Sequence, residues 1–276
     1  MICWVVERAL AARNVDRAIV ATDDQRIEAA VRSAGYEAVM TSAEHRSGTD
    51  RIAEVAASIA DADIIVNVQG DEPLISPLTV ERAVEAMGGE GKGEKGEADG
   101  REWGKGKKGE WEKVEKGKGE GVKEEIGIVT TWEAIDSAAD VLNPDVVKIV
   151  VDDHERAIYF SRSPVPYPRD AVSRHGSIEA AISAEPALLT SFRKHTGLYV
   201  YRREVLLEFA QWPQSALELL ESLEQLRALE HGVNIKAIEA SAPSIGVDTL
   251  TDLERVRRLV SSSKFQVSSS VGYVGT

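Results

Sequence analysis

The chain has 276 residues, enough to bury one large α/β core or two small ones. Its 33 basic against 46 acidic residues give a formal net charge of −13, which argues against a sequence-blind nucleic-acid binder; an anionic ligand would need local cations or a metal. The single Cys3 excludes an internal disulfide framework, and no apolar run approaches the roughly 20 residues that span a bilayer. Met1–Leu10 carries Glu7 and Arg8 where a secretory signal has an apolar core, so a soluble protein of the cytoplasm is the expectation.

In chain order, amphipathic patterning predicts a helix over Cys3–Ala12, with no strand and no Gly-rich or basic phosphate loop ahead of it. There follow a strand at Ala18–Thr22, a helix at Gln25–Ser33, a strand at Ala38–Thr41 and a helix at Asp50–Ile59. Ile64–Val68 is a strand that is apolar but for Asn67, and Pro77–Met87 is the helix after it. Gly88–Gly121 holds 12 Gly, 8 Glu and 8 Lys in 34 residues, a composition that cannot bury a core, and it reads as a disordered insertion. Its charges cancel, which leaves 24 basic against 37 acidic residues in the rest of the chain. Strands are predicted at Ile126–Thr131, Val146–Val151, Ala157–Phe160, His195–Tyr201 and Asn234–Ile238. Helices are predicted at Leu217–Glu230, closed by His231-Gly232, and at Asp252–Val260; Ser261–Thr276 is a flexible tail. Alternating short strands and helices predict a doubly wound, mostly parallel α/β sheet.

Residues able to do chemistry gather where strands end. Asn67-Val68-Gln69-Gly70-Asp71-Glu72-Pro73 sets two carboxylates at the C-terminal end of a buried strand, where open α/β sheets bind ligands and where a hard oxygen donor suits Mg²⁺. The same residues also suit a plain acidic turn closed by Pro73. Gly246-Val247-Asp248-Thr249 repeats the arrangement, though Asp or Thr there also serves as a helix N-cap. Asp23, and the run Arg46-Ser47-Gly48-Thr49-Asp50-Arg51, offer groups that fit either a ligand or ordinary turn and capping chemistry. Arg162 follows a strand and offers a planar fork for a carboxylate, with a surface arginine as the plainer reading. His195, Gly197 and Tyr199 share one face of a strand by their spacing, and a histidine so placed is often a satisfied core residue.

Taken in series, ATDD, HRSGTDR, NVQGDEP, NPDVVKIVVD, YFSRSPVPYPRD, HTGLY, LEQLRALEHG and GVDTLTDLERV span most of Met1–Val260 outside the insertion. In order and approximate spacing they resemble the CMP-Kdo synthetases, the 3-deoxy-manno-octulosonate (Kdo) cytidylyltransferases. The resemblance implies a Rossmann-like nucleotidyltransferase domain over residues 1–260 with a small antiparallel dimerisation extension. It also implies CTP and Kdo as substrates, CMP-Kdo and pyrophosphate as products, Mg²⁺ as cofactor, and a homodimer with residues 162–201 at its interface. A bacterial chain would then serve lipopolysaccharide, and a plant or algal one pectin.

Carried over block by block, the resemblance makes Asp71 and Asp248 the metal-binding carboxylates, within about 8 Å of one another, a separation that ions or waters bridge. Asp23, Ser47, Gly48, Thr49 and Gln69 fall in blocks that line the nucleotide pocket. Arg162, His195, Tyr199, Glu224 and Gln225 fall in blocks that line the sugar pocket. Members of the family open on a strand and a loop of the form IPARxxSxRxPGKPL whose Arg and Lys hold the triphosphate. These residues begin where that loop would end, so weak turnover of CTP is expected of them alone. Competing readings are a catalytically silent homologue kept as a binding or dimerising subunit, and a CMP-sialic-acid synthetase.

Overall fold

The computed structural model describes residues 1–45, 47–88, 125–247 and 249–261. The expected insertion at 88–121 lies outside these residues except for Gly88, and the expected tail at 261–276 except for Ser261; Asp248 also lies outside them. The elements run α1 (Ile2–Leu10), β1 (Ile19–Thr22), α2 (Gln25–Ser33), β2 (Glu37–Met40), α3 (Gly48–Ala57), β3 (Ile64–Asn67) and α4 (Pro77–Met87). After the gap come β4 (Ile126–Ala134), α5 (Ala138–Leu142), β5 (Lys148–Val151), β6 (Ala157–Ser161), α6 (Arg169–His175) and α7 (Ile178–Ala184). A 3₁₀ turn (Pro186–Ser191), β7 (Arg193–Arg202), α8 (Arg203–Phe209), α9 (Ala216–Glu221), α10 (Gln225–Glu230), β8 (Asn234–Glu239) and α11 (Leu250–Ser261) complete the order.

Local chemistry explains most boundaries. Asp24 caps α2 by accepting the Arg26 amide at 2.7 Å, Ser47 caps α3 by accepting from Asp50, and Pro77 opens α4 at a position where its missing N–H costs nothing. The predicted single helix at Leu217–Glu230 is two helices. Ser222 sits in the left-handed region at φ 53°, ending α9, and Glu224 restarts the chain as α10. Capping also fixes the front of this pair, where Ser215 and Glu218 exchange side-chain and backbone hydrogen bonds.

β6, β5, β7, β4 and β8 form a sheet in that order, and β3 joins it along β7. β4 is parallel to β8, whereas β3, β4 and β5 are each antiparallel to β7, so β3, β4, β5 and β8 all run one way. The expected mostly parallel sheet is therefore found, with β7 reversed in its middle and β5–β6 forming an antiparallel extension. β1 and β2 pair in parallel with each other, and among the described residues neither pairs with the larger sheet.

Period-two alternation splits the core between two faces. Ile128, Tyr199 and Tyr201 point to the side closed by Ala53 and Ala56 of α3, Leu206 and Phe209 of α8, and Leu226 of α10. Val129, Leu198 and Val200 point to the other side, against Val80, Ala83 and Met87 of α4. Helices thus cover both faces, as a doubly wound sheet requires.

One ion pair sits inside the first layer. The side chains of Arg227 and Glu218 are only 5% and 6% exposed, and Nη2 meets Oε1 at 2.6 Å. Arg227 also donates to the carbonyls of Phe209 and Trp212 and lies over the Phe209 ring at 4.4 Å. Removing one member of such a pair leaves the other charge buried and unpaired. Arg227→Ala is therefore expected to lower the unfolding free energy by about 3–5 kcal/mol, measured by urea titration; a loss below about 1 kcal/mol, the worth of an exposed pair, would refute this.

Candidate active site

The C-terminal end of β3 turns directly into Val68-Gln69-Gly70-Asp71-Glu72, delivering the two carboxylates to the edge of the sheet. Asp71 Oδ1 is buried and, among the described residues, has no hydrogen-bond partner. The Asp71 carbonyl accepts the Val247 amide at 2.9 Å, so the segment that leads into position 248 is tied to Asp71 through the main chain. Glu72 secures the same segment: its carboxylate accepts the Ser244 hydroxyl, while Glu133 on β4 accepts the Ser244 amide at 2.9 Å. Burial raises the Glu72 carboxyl pKa; the Ser244 hydroxyl pulls the other way, and the neighbouring Asp71 and Glu133 add to the rise. Glu133 and Ser244 are supports that sequence reasoning missed, because residues this far apart in the chain meet only in the fold.

β7 brings the HTGLY block against this edge. A Cβ on Gly197 would fall 2.6 Å from the Gln69 side-chain nitrogen, so the Gln69 amide lies directly on the glycine. His195 and Tyr199 occupy the same face as expected, with ring centroids 5.3 Å apart, and Phe160 of β6 meets His195 edge-on at 5.0 Å. Desolvation in this aromatic cage pushes the His195 pKa down to about 3, and the ring is neutral at physiological pH. Tyr199 stacks on Tyr201 at 5.8 Å, and burial holds both phenols well above their usual pKa.

The nucleotide and sugar blocks also meet at Glu224. Thr49, buried in the first turn of α3, donates its hydroxyl to Glu224 Oε1 at 2.6 Å across 175 positions of sequence. Burial raises the Glu224 carboxyl pKa, and the hydroxyls of Thr49 and Ser47 offset part of that. Gln225, the first residue of α10, is buried beside it. Gly48 faces open space, and Asp23 is exposed and accepts from Arg51 Nη2 at 2.9 Å. Thr49, Tyr199, Glu224 and Gln225 are thus one group, Gln69 reaches His195 through Gly197, and Asp23 stands apart in its own ion pair.

Arg162 is held by main-chain carbonyls. Its Nε donates to the Glu221 carbonyl at 2.7 Å, Nη1 to the Pro144 carbonyl at 3.0 Å and Nη2 to the Ser222 carbonyl at 3.4 Å. The Arg162 amide and the Ser161 hydroxyl take the two oxygens of the Glu221 carboxylate. The planar fork that suits a ligand carboxylate is engaged instead with main-chain carbonyls. It pins the left-handed turn at Ser222 from which Glu224 and Gln225 project. Lys148, fully buried, fixes the adjoining loop by donating to the carbonyls of Asn143 and Val146 at 2.8 and 2.6 Å.

Comparison with known proteins agrees with this arrangement. A family model described as Cytidylyltransferase matches residues 1–236. The 3-deoxy-manno-octulosonate cytidylyltransferase of Geotalea daltonii is 44% identical over 256 residues, 93% of this chain and 86% of that protein. The protein of the same name from Trichlorobacter lovleyi is 43% identical over 257 residues, again 93% of this chain and 86% of that one. Among solved structures, a CMP:2-keto-3-deoxy-manno-octonic acid synthetase complexed with CTP superposes with a TM-score of 0.70 at 38% identity, covering 94% of this chain and 86% of that one. The chain belongs to the 3-deoxy-manno-octulosonate cytidylyltransferase family.

Proposed function

We propose that the chain transfers CMP from CTP to the anomeric hydroxyl of Kdo and releases pyrophosphate. The Thr49–Glu224 hydrogen bond carries this reading, because it sets the nucleotide and sugar blocks side by side at the sheet edge, in a chain whose relatives bear that activity in their names. Ser47, Gly48 and Thr49 open α3, whose first amides suit phosphate oxygens. Gln69 would serve the nucleotide and lies on Gly197 of β7, next to the sugar side, where His195, Tyr199, Glu224 and Gln225 would orient Kdo. Arg162 acts here as a positioning residue for Glu224 and Gln225.

Asp71 and Asp248 would hold a divalent cation, Mg²⁺. The buried Oδ1 of Asp71, which has no partner among the described residues, and the Val247–Asp71 main-chain bond fit such a site. Among the described residues no group of three or more His, Cys, Asp and Glu gathers to hold a metal, so substrate oxygens and water would complete the shell, as is usual for Mg²⁺. The bound cation would neutralise phosphate charge and lower the pKa of the attacking hydroxyl.

A homodimer, a cytoplasmic location and a product destined for lipopolysaccharide or pectin belong to the same reading. Tyr167, 59% exposed within residues 162–201, supports a partner surface there, and no helix among the described residues is long and apolar enough to cross a membrane. In a pyrophosphate-release assay with CTP and Mg²⁺, Kdo is expected to support turnover and N-acetylneuraminate to give none; comparable rates with both sugars would overturn the choice of Kdo.

A further inference from the structure

Opposite Thr130 and Thr131 of β4, β7 carries an irregularity. Thr130 pairs with Tyr199 and Thr131 with Thr196, so Gly197 and Leu198 have no partner in β4, and the β3 ladder begins only at Tyr199. Leu198 is 2% exposed, and a buried carbonyl outside the ladder needs a donor. Thr130 supplies it, its hydroxyl lying 2.8 Å from the Leu198 oxygen. The same Oγ1 lies 2.9 Å from His195 Nε2. A threonine hydroxyl has one hydrogen, and a carbonyl only accepts. With that hydrogen committed to Leu198, Nε2 must carry its own hydrogen and donate to Thr130. The neutral ring then has no hydrogen on Nδ1, which has no hydrogen-bond partner among the described residues.

We infer that Thr130 is a positioning residue that locks His195 as the neutral Nε2–H tautomer, so that Nδ1 accepts a hydrogen bond from a hydroxyl of the bound sugar acid. His195 reads a hydroxyl and does not hold the sugar carboxylate, which a lone pair would repel. This step rests on the sugar-binding reading above, but the tautomer itself can be observed without any ligand.

The test is a long-range ¹H–¹⁵N correlation spectrum of the full ¹⁵N-labelled chain at neutral pH, with His195 assigned by its loss in His195→Gln. The expected spectrum shows a protonated-type Nε2 and an unprotonated-type Nδ1. Thr130→Val, which keeps the shape and removes the hydroxyl, should shift this pattern and weaken Kdo binding by roughly 3–10-fold, the worth of one neutral hydrogen bond; Thr130→Ser should restore both. A ring protonated at Nδ1, or a Thr130→Val spectrum that matches the parent, overturns the inference. Should Thr130→Val not fold, the parent spectrum and Thr130→Ser decide it alone. The expected tautomer in a chain that binds no Kdo would uphold the positioning role and overturn the sugar reading.

Discussion

Asp71→Asn is expected to reduce pyrophosphate release from CTP and Kdo by more than about 100-fold, since even the residues that support a metal ligand commonly cost 10–100-fold when lost. The amide keeps the shape of the side chain and leaves the main-chain bond to Val247 untouched, so the fold should persist. What changes is the charge on the buried oxygen that would face the cation. A Mg²⁺ titration of the rate should show a weakened apparent affinity along with the loss. Activity within twofold of the parent would remove Asp71 from the metal site.

Much of this site is legible in the linear chain, because short-range patterns mark where elements begin and end. α2 and α4 occupy the predicted residues, since a capping Asp24 and an opening Pro77 act within one turn. The face shared by His195 and Tyr199 also follows from strand spacing, and it survives the irregularity in β7 because two residues are inserted, which preserves the alternation. Long-range contacts are a different matter. Nothing near Arg162 in sequence shows that its guanidinium is spent on carbonyls 59 and 60 positions away, nor that the same contacts bend Leu217–Glu230 into two helices. Thr130 is one of two adjacent threonines in an apolar strand, and only the fold sets its hydroxyl beside His195. The five elements absent from the sequence reading, α5, α6, the 3₁₀ turn, α7 and α8, have seven residues or fewer, too short for helical periodicity to stand out.

The contact of Gln69 with Gly197 has a consequence for how substitutions combine. Any side chain at 197 must displace the Gln69 amide, so Gly197→Ala acts on the loop after β3 as much as on β7. Once Gln69 has been shortened to alanine, that clash is gone. The two substitutions are therefore non-additive: their combined effect on CTP affinity should be smaller than the sum of the separate effects, and the shortfall in a double-mutant cycle measures how firmly the two strands' ends are coupled.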